Sequence, residues 1–550
     1  MTILGITAPL SWNSAAAIIK NGKLIAVAEE ERYNRVKHAP RMPAYKSVEF
    51  CLQKAQVKFS EVDAIGFGYR SPFIAYLFSI SENLKEHNFR RLVREAGAFA
   101  EYYIGLVRLK EWLELKGLNF SKTKVYFIPH HIAHATSAYR CSGFSESNII
   151  SLDGVGEDDA GYLGIGRNGD MKRLKKVGHH QSIGWVYADV TGILGFRMHS
   201  HEGKVMGLSA YGKKILPFDN FWQLKSDSYY LKHNWNKIMW DTFGPRRDPK
   251  SPITQRHKDI ARTVQYFTEN VGVRLAKKLY KETGSRNIAL AGGVALNCNM
   301  NGKIWQEDFI DKIFVQPAST DAGTAIGAAM ELAHTFGEPA DFAMDHAYWG
   351  QEYTNEEIES VLREAKISYE KVSNIEEVAA QHLSKGKIVG WFQGRSELGP
   401  RALGNRSILA HPGISGMKDK VNSEVKHREY WRPFAPSILH EAGADYFEKY
   451  LLSPFMTITL KAKKKAIREM QEAIHIDHSA RIQSVTKETN PRYHKLISAF
   501  GKKTGIPALM NTSFNDNEEP LVNSPKEALK VFMSTGMDIL AIGDYLITKK

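Results

Sequence analysis

Two stretches of this chain repeat one local design. In the first, Ile3-Leu4-Gly5-Ile6-Thr7, then Ala15-Ala16-Ala17-Ile18-Ile19-Lys20, Asn21-Gly22 and Leu24-Ile25-Ala26-Val27-Ala28 read as strand, strand, tight turn, strand. In the second, Ile149-Ile150-Ser151-Leu152, Tyr162-Leu163-Gly164-Ile165-Gly166, Asn168-Gly169 and Met171-Lys172-Arg173-Leu174 read the same way. Asn-Gly is a strong hairpin signal, because a two-residue hairpin turn of the favoured type needs positive φ at both central residues. A duplicated unit of this kind predicts two similar α/β lobes with a cleft between them. On the hairpins alone, chance similarity is the alternative.

The doubled pattern resembles the ASKHA fold of actin, sugar kinases and Hsp70, in which nucleotide binds between the lobes. The chain is long enough for such a core: 550 residues correspond to roughly two to four domains. Charged residues at 24% and hydrophobic ones at 43% fit a soluble globular protein. No apolar run reaches the ~18 residues of a membrane span, and Met1-Thr2-Ile3-Leu4-Gly5 lacks a basic n-region, so neither a membrane nor export is expected. Cys51, Cys141 and Cys298 have neither ligand nor framework spacing, which predicts buried free thiols in a reducing cytoplasm. A net charge of +14 favours anionic partners. Its only run, Lys461-Ala462-Lys463-Lys464-Lys465, reads as a solvated helix face, so small anions are expected and nucleic acid is not.

Pro129-His130-His131-Ile132-Ala133-His134-Ala135 reads as a helix start. A spacing of four puts His130 and His134 on one face, where two imidazoles can share a cation. A partly buried helix with His131 in solvent is the plainer reading of this segment alone. Asp153 follows the apolar strand Asn148-Ile149-Ile150-Ser151-Leu152 and opens the turn Asp153-Gly154-Val155-Gly156-Glu157, and Asp321 precedes a helix running to about His334. A His₂Asp₂ set suits Fe(II), Mn(II) or Zn(II). It is not a zincin, because that helix needs Glu after the first His and His131 stands there.

A long helix is expected over about 259–283, then a buried strand into Gly292-Gly293-Val294-Ala295-Leu296-Asn297, where paired glycines let backbone approach a nucleotide. His201-Glu202-Gly203-Lys204-Val205-Met206-Gly207-Leu208 reads as another glycine-lined loop of the same cleft. The character changes near 340–355, where a second helix-and-strand alternation begins. That region holds Gly394-Arg395-Ser396-Glu397-Leu398-Gly399-Pro400-Arg401-Ala402-Leu403-Gly404-Asn405-Arg406-Ser407, a forked array of three arginines that favours phosphate. Lys426-His427-Arg428-Glu429-Tyr430-Trp431-Arg432-Pro433-Phe434 and Asn511-Thr512-Ser513-Phe514-Asn515 add cations, amides and a hydroxyl. Solvated surface charge is the competing reading of each cluster, yet arginines interleaved with Gly, Pro and aromatics are poor surface filler.

Five motifs in this order, around His130, Gly292, Arg401, Arg432 and Asn511, cover nearly the whole chain and resemble the NodU/CmcH-type O-carbamoyltransferases, the tailoring enzymes of nodulation factors, cephamycins and aminoglycosides. The resemblance implies an ASKHA-type domain over 1–348, with lobes about 1–146 and 147–348, and a YrdC-like domain over 349–550. It also implies two half-reactions. In the second domain carbamoyl phosphate and ATP, carried with Mg, would give carbamoyl adenylate. In the first, a hydroxyl of a small natural-product or sugar-like acceptor would take the carbamoyl group and AMP would leave. Carried over by motif, Arg401, Arg406, Lys426, Arg432, Arg481, Asn511, Ser513 and Asn515 would hold ATP and carbamoyl phosphate. Arg395 and Arg428 join them or pair instead with Glu397 and Glu429. His130, His134, Asp153 and Asp321 would hold the metal, iron in relatives, with Gly292, Gly293 and Asn297 seating the adenosine and Glu157 behind the metal or on the nucleotide.

One departure stands out. Where relatives commonly carry His-Asp after the first strand, this chain has Trp12-Asn13, and neither side chain can take a proton near neutrality. Lys37 matches a family position near the acceptor, adjoining His38, with an ordinary loop charge as the alternative. A tRNA-modifying enzyme of the same ancestry and a non-catalytic nucleotide-binding module are the rival functions; hydrogenase-maturation relatives are excluded because they need Cys-rich zinc fingers. The aromatic stretch 71–117, with Phe73, Tyr76, Phe78, Phe89, Phe99, Tyr102 and Tyr103, reads as an acceptor-side insertion whose rings mostly pack the core. Oligomeric state, a homodimer included, is not written in any pattern here.

Overall fold

The computed structural model describes residues 1–9, 11–77 and 89–549, the side chains of 89–95 excepted, and divides into two units, Met1–Met344 and Asp345–Lys550. Phe78 and the Phe89 side chain therefore lie outside the described residues. Tyr102 is buried, whereas Phe73 and Tyr103 are exposed, so only part of that aromatic stretch is core. Among the described residues no helix is long and apolar enough to cross a membrane. Cys51, Cys141 and Cys298 are buried and free.

The first unit holds two five-stranded sheets of identical order. One contains β1 (Thr2–Ile6), β2 (Ala15–Lys20), β3 (Lys23–Glu29), β4 (Ala64–Phe67) and β5 (Lys124–Phe127), arranged β3-β2-β1-β4-β5. The other contains β6 (Glu146–Gly156), β7 (Asp159–Arg167), β8 (Asp170–Gly178), β11 (Asn287–Ala291) and β12 (Lys312–Val315), arranged β12-β11-β6-β7-β8. The short hairpin β9 (Trp222–Leu224) and β10 (Tyr229–Leu231) lies between β8 and β11 in sequence. In each sheet a three-stranded antiparallel meander carries two further strands parallel to its first. The two hairpins turn where Asn-Gly demanded it: φ is 50° and 72° at Asn21 and Gly22, and 49° and 90° at Asn168 and Gly169.

Two of the helices on these sheets frame the site described below. His130–Tyr139 packs on β6, β7 and β11, and Ala322–Thr335 packs on β1, β2 and β4. The first carries Ala133, Ala135 and Ala138 and the second is rich in Ala and Gly, so their backbones and the strands come close without a gap. The helix expected from about residue 259 starts earlier, as Gln255–Thr283, because Thr254 and His257 form a capping box. The segment around Glu202, read above as a loop, is the helix Glu202–Ser209; its two glycines are tolerated because Val205 and Leu208 are buried against the protein.

The second unit is built on one eight-stranded sheet, β13-β22-β21-β14-β15-β20-β16-β19. Its strands are β13 (Glu370–Lys371), β14 (Val389–Phe392), β15 (Arg406–Ala410), β16 (Ala435–Leu439), β19 (Gln483–Val485), β20 (Ala508–Ser513), β21 (Ile539–Ile542) and β22 (Tyr545–Thr548). A smaller pair, β17 (Thr459–Lys461) with β18 (Ser479–Arg481), flanks it. Phe392, Ile408, Met510, Phe514, Phe532 and Leu540 anchor the core on this sheet.

Candidate metal centre and candidate anion site

In the first unit the parallel strands all point their ends at one place. The β5 end leads to His130, and the β12 end leads to Asp321, which is the N-cap residue of Ala322–Thr335. The irregularity in β6 between Leu152 and Gly156 carries Asp153. A bulge re-aims a side chain at the end of a strand, which is why Asp153 leaves the ladder for the site. One ligand atom from each of His130, His134, Asp153 and Asp321 lies within 4.8 Å of the other three.

The hydrogen bonds behind these groups leave the right atoms facing inward. His130 Nδ1–H donates to the Gly68 carbonyl at 3.3 Å, so its Nε2 faces the centre. There it meets His134 Nε2 at 3.1 Å and Asp321 Oδ1 at 3.8 Å, and His134 Nε2 lies 3.2 Å from Asp153 Oδ2. Each carboxylate has its other oxygen occupied by a backbone N–H: Asp153 Oδ1 accepts from Gly154 and Asp321 Oδ2 from Trp12, both at 2.7 Å. Asp153 Oδ2 is buried with no hydrogen-bond partner. An orphaned carboxylate oxygen beside two imidazole nitrogens is a donor set that fits a divalent cation. Burial opposes charge on His130, but the neighbouring carboxylates of Asp153, Asp321 and Glu157 outweigh it and hold its pKa up at about 9. Burial pulls His134 down, His130 adding to it. His131 is buried rather than solvated, between the Ser151 hydroxyl at 3.1 Å and the Asp159 carbonyl at 3.2 Å.

Glu157 sits behind the metal set. Its Oε1 accepts from the backbone N–H of His130 at 3.2 Å and of Arg70 at 2.5 Å, which pins the helix start. Gly292, at φ 81°, and Gly293 pack on the Asp153 turn; a Cβ at Gly292 would meet the Leu152 carbonyl at 2.2 Å and one at Gly293 would meet Asp153 Oδ1 at 3.0 Å. Asn297 is placed differently from the open adenosine contact expected. Its Oδ1 caps the helix Cys298–Gln306 through Met300 N–H, and both ends of its amide bond Gln265 at 3.0 Å. Lys37 is half-buried in a loop where Arg35, His38, Ala39 and Arg41 all take positive φ, a costly backbone for such residues.

The sequence reading missed His199 and Trp185 beside the centre. Trp12 donates its indole N–H to the His199 carbonyl at 2.9 Å, and Asn13 reaches His38 Nδ1 at 2.9 Å. His199 lies edge-on to Trp185 at 4.9 Å, and the Trp185 indole N–H is buried with no partner. Contacts between residues so distant in sequence leave no local pattern to find.

In the second unit the sheet register gathers the cations. The start of β15 pairs with the end of β20 through Ser407 and Ser513, and the start of β16 pairs with Asn511 through Ala435. Lys426 Nζ, in the turn after the π-helical Val421–Val425, donates to Ser513 O at 3.0 Å, Asn515 O at 2.7 Å and Asn515 Oδ1 at 2.5 Å. Asn511 is buried, its amide N–H₂ on Ala402 O and Ser437 Oγ and its Oδ1 without a partner. Arg428 lies on the Phe434 ring at 4.5 Å with Nε on Asn422 Oδ1 at 2.7 Å, yet its Nη2 is buried without a partner, as is Arg481 Nε. Burial first, then the Arg432 charge, with Arg481 adding to it, pushes Arg428 well below the usual guanidinium range; burial and Arg481 also lower Arg432.

The forked array around Arg401 is organised otherwise than expected. Glu397 is buried and accepts the backbone N–H groups of Leu403, Asn405 and Arg406 at 2.8 to 3.0 Å, so it holds the loop instead of pairing with Arg395. Arg395 donates to the carbonyls of Trp349 and Gly350. Arg406 is 0% exposed: its two Nη groups are spent on the carbonyls of Gln393, Gly394, Asn405 and Gln351, over the Phe392 ring at 3.7 Å. It therefore builds the loop from inside, with its Nε buried and without a partner. Arg401 is half-buried on that loop.

Residues 2–330 match the family model described as carbamoyltransferase N-terminus, and residues 380–549 match carbamoyltransferase C-terminus. The chain belongs to the carbamoyltransferase family. An uncharacterised protein of Synechocystis, sll1178, is 37% identical to this carbamoyltransferase over 100% of the chain and 96% of its own length. Nodulation protein NolNO of Sinorhizobium fredii is 35% identical over 98% of the chain and 79% of its own length. The 3'-hydroxymethylcephem-O-carbamoyltransferase of Amycolatopsis lactamdurans is 33% identical over 46% of the chain and 47% of its own length.

Proposed function

We propose that this carbamoyltransferase makes carbamoyl adenylate from carbamoyl phosphate and ATP in a YrdC-like second unit and transfers the carbamoyl group to a hydroxyl of a small acceptor in an ASKHA-type first unit. The observation that carries the first half is the trio Arg428, Arg432 and Arg481, three crowded guanidinium groups of which Arg428 and Arg481 each leave a buried donor atom unpaired. Such a cluster is costly when empty and is relieved by a polyanion. Carbamoyl phosphate, ATP and one water balance to carbamoyl adenylate, phosphate and pyrophosphate, and joining two polyanions requires cationic clamps of this sort. Lys426, with Ser513 and Asn515, is the next group along the same sheet end.

The ASKHA reading of the first unit rests on its two sheets of identical order. The cephem relative's name supports a hydroxyl acceptor for this chain. In the transfer, the acceptor oxygen bonds to the carbamoyl carbon, the bond from that carbon to the phosphate oxygen of AMP breaks, and the hydroxyl proton leaves to a base. His130, His134, Asp153 and Asp321 would hold Fe(II), Mn(II) or Zn(II), which supplies positive charge for the adenylate's phosphate. Gly292 and Gly293 keep the Asp153 turn open to backbone approach, and Glu157 keeps His130 in line. Trp12 and Asn13 offer no base; His38 and His199 are the imidazoles beside them.

The test is pyrophosphate release by the full chain given ATP, Mg²⁺ and carbamoyl phosphate. Release that requires carbamoyl phosphate and disappears in Arg432→Ala is the expected result. ATP binding without release would remove the adenylating step and leave a nucleotide-binding module.

A further inference from the structure

Trp12 occupies the turn after β1 but is tied to residues far from it. Its backbone N–H donates to Asp321 Oδ2 at 2.7 Å, and its indole N–H donates to the His199 carbonyl at 2.9 Å. The next link is the His199 N–H, which donates to Glu202 Oε1 at 2.6 Å. Three bonds of good length thus run from a candidate metal ligand through Trp12 to the first residue of the helix Glu202–Ser209. His199 holds φ at 61°, a left-handed conformation that a non-glycine residue adopts only at a cost. That strain is retained while both its N–H and its carbonyl are engaged, and its ring is set between Trp12 at 5.5 Å and Trp185 at 4.9 Å. The consequence at the other end is geometric. With Oδ2 occupied by Trp12, the Asp321 carboxylate presents Oδ1 alone toward His130 Nε2.

We infer that Trp12 is a positioning residue, and that the chain Glu202, His199, Trp12 fixes the orientation of Asp321, with Oδ1 toward His130 Nε2. This rests on reading the four-residue cluster as a cation site. A carboxylate ligand held by an outer hydrogen bond loses affinity when that bond loses its own support. The relay acts through backbone atoms of His199 and one oxygen of Glu202, so its imidazole and the Glu202 charge are dispensable to it.

The experiment is titration of the full chain with Mn²⁺ alone, free ion read by its paramagnetic resonance, alongside the melting temperature of each metal-free variant. Trp12→Phe keeps the backbone N–H but loses the indole donor, and Glu202→Ala loses the acceptor; each is expected to weaken Mn²⁺ binding roughly 10-fold or more. Glu202→Gln keeps an acceptor oxygen, and His199→Gly keeps the peptide in a conformation glycine favours, so both should stay within about 3-fold of the parent. Parent-like binding in Trp12→Phe and Glu202→Ala overturns the relay, as does Glu202→Gln falling as far as Glu202→Ala. A weakened variant whose metal-free melting temperature has dropped in step also counts against it, since general loosening would then explain the loss. His130→Ala is the control that separates the two claims: a parent chain that binds Mn²⁺ no better than His130→Ala removes the cation site itself.

Discussion

His130 Nε2 lies 3.8 Å from Asp321 Oδ1, at the starts of two helices that pack on opposite sheets of the first unit. His130 begins the helix on the second sheet, and Asp321 caps the helix on the first. The site therefore exists only where these two helices touch. Their contact is at backbone distance: a Cβ on Gly327 would stand 1.7 Å from the Ala133 carbonyl.

Gly327→Ala tests that contact. No side chain can move aside, because the obstacle is backbone, so the helices must separate. The expected loss is about 3 kcal/mol or more in denaturant unfolding, accompanied by weaker metal binding at the His130 cluster. Unchanged stability would mean that the helices are not held at this distance.

Removing a ligand separates the two half-reactions. His134→Ala and Asp153→Asn should each empty the metal centre, seen as loss of bound metal by elemental analysis, and abolish carbamoyl transfer. Carbamoyl-phosphate-dependent pyrophosphate release should persist in both, because Arg428, Arg432 and Arg481 belong to the other unit. Loss of both activities in a well-folded variant would contradict this partition.

The crowded guanidiniums predict a trade of stability for function. Arg428→Met keeps the packing on Phe434 while removing a buried charge that Arg432 and Arg481 repel. In ligand-free protein the variant should unfold later, by about 1–2 kcal/mol, while pyrophosphate release falls roughly 100-fold or more. Calorimetry and the release assay read the two effects separately; a variant that is both less stable and fully active runs against the argument.

Asp189, in the helix Ile183–Ile193, has its pKa pushed up to about 6 by burial. Its folded value lies above the ordinary 3.8, so its contribution to stability is fully present below that value and is lost as pH rises through about 6. Asp189→Asn should thus match the parent near pH 4 and exceed it above pH 7, by about 1–2 kcal/mol for a half-buried group. Urea unfolding at the two pH values checks the sign, and equal differences at both would contradict it.

Much of the first unit was legible because its signals are local. Asn21-Gly22 and Asn168-Gly169 specify hairpins by turn chemistry, and the spacing of His130 and His134 places both on one helix face. The second unit was harder to read. Arg401 and Arg406 stand in one motif, yet Arg406 is wholly inside the loop and Arg401 half-buried on it. Composition cannot say which side of a turn a guanidinium takes; the carbonyls of Gln393 and Gln351 decide it by wrapping Arg406. Asn297 likewise matched a ligand motif, but the helix after it needed a cap and Gln265 was within reach.

The sequence by itself determined the doubled meander, the buried thiols, the two histidines on one face and the carboxylates at strand ends, because each follows from the spacing of neighbours along the chain. The tertiary structure decided which carboxylate oxygens stay open, that Trp12 is tied to His199 and Asp321, and that Arg428, Arg432 and Arg481 share one crowded corner. Those outcomes depend on segments brought together by the packing of sheets and helices, and a hydrogen bond between distant residues is fixed by that packing, not by the residues on either side of it.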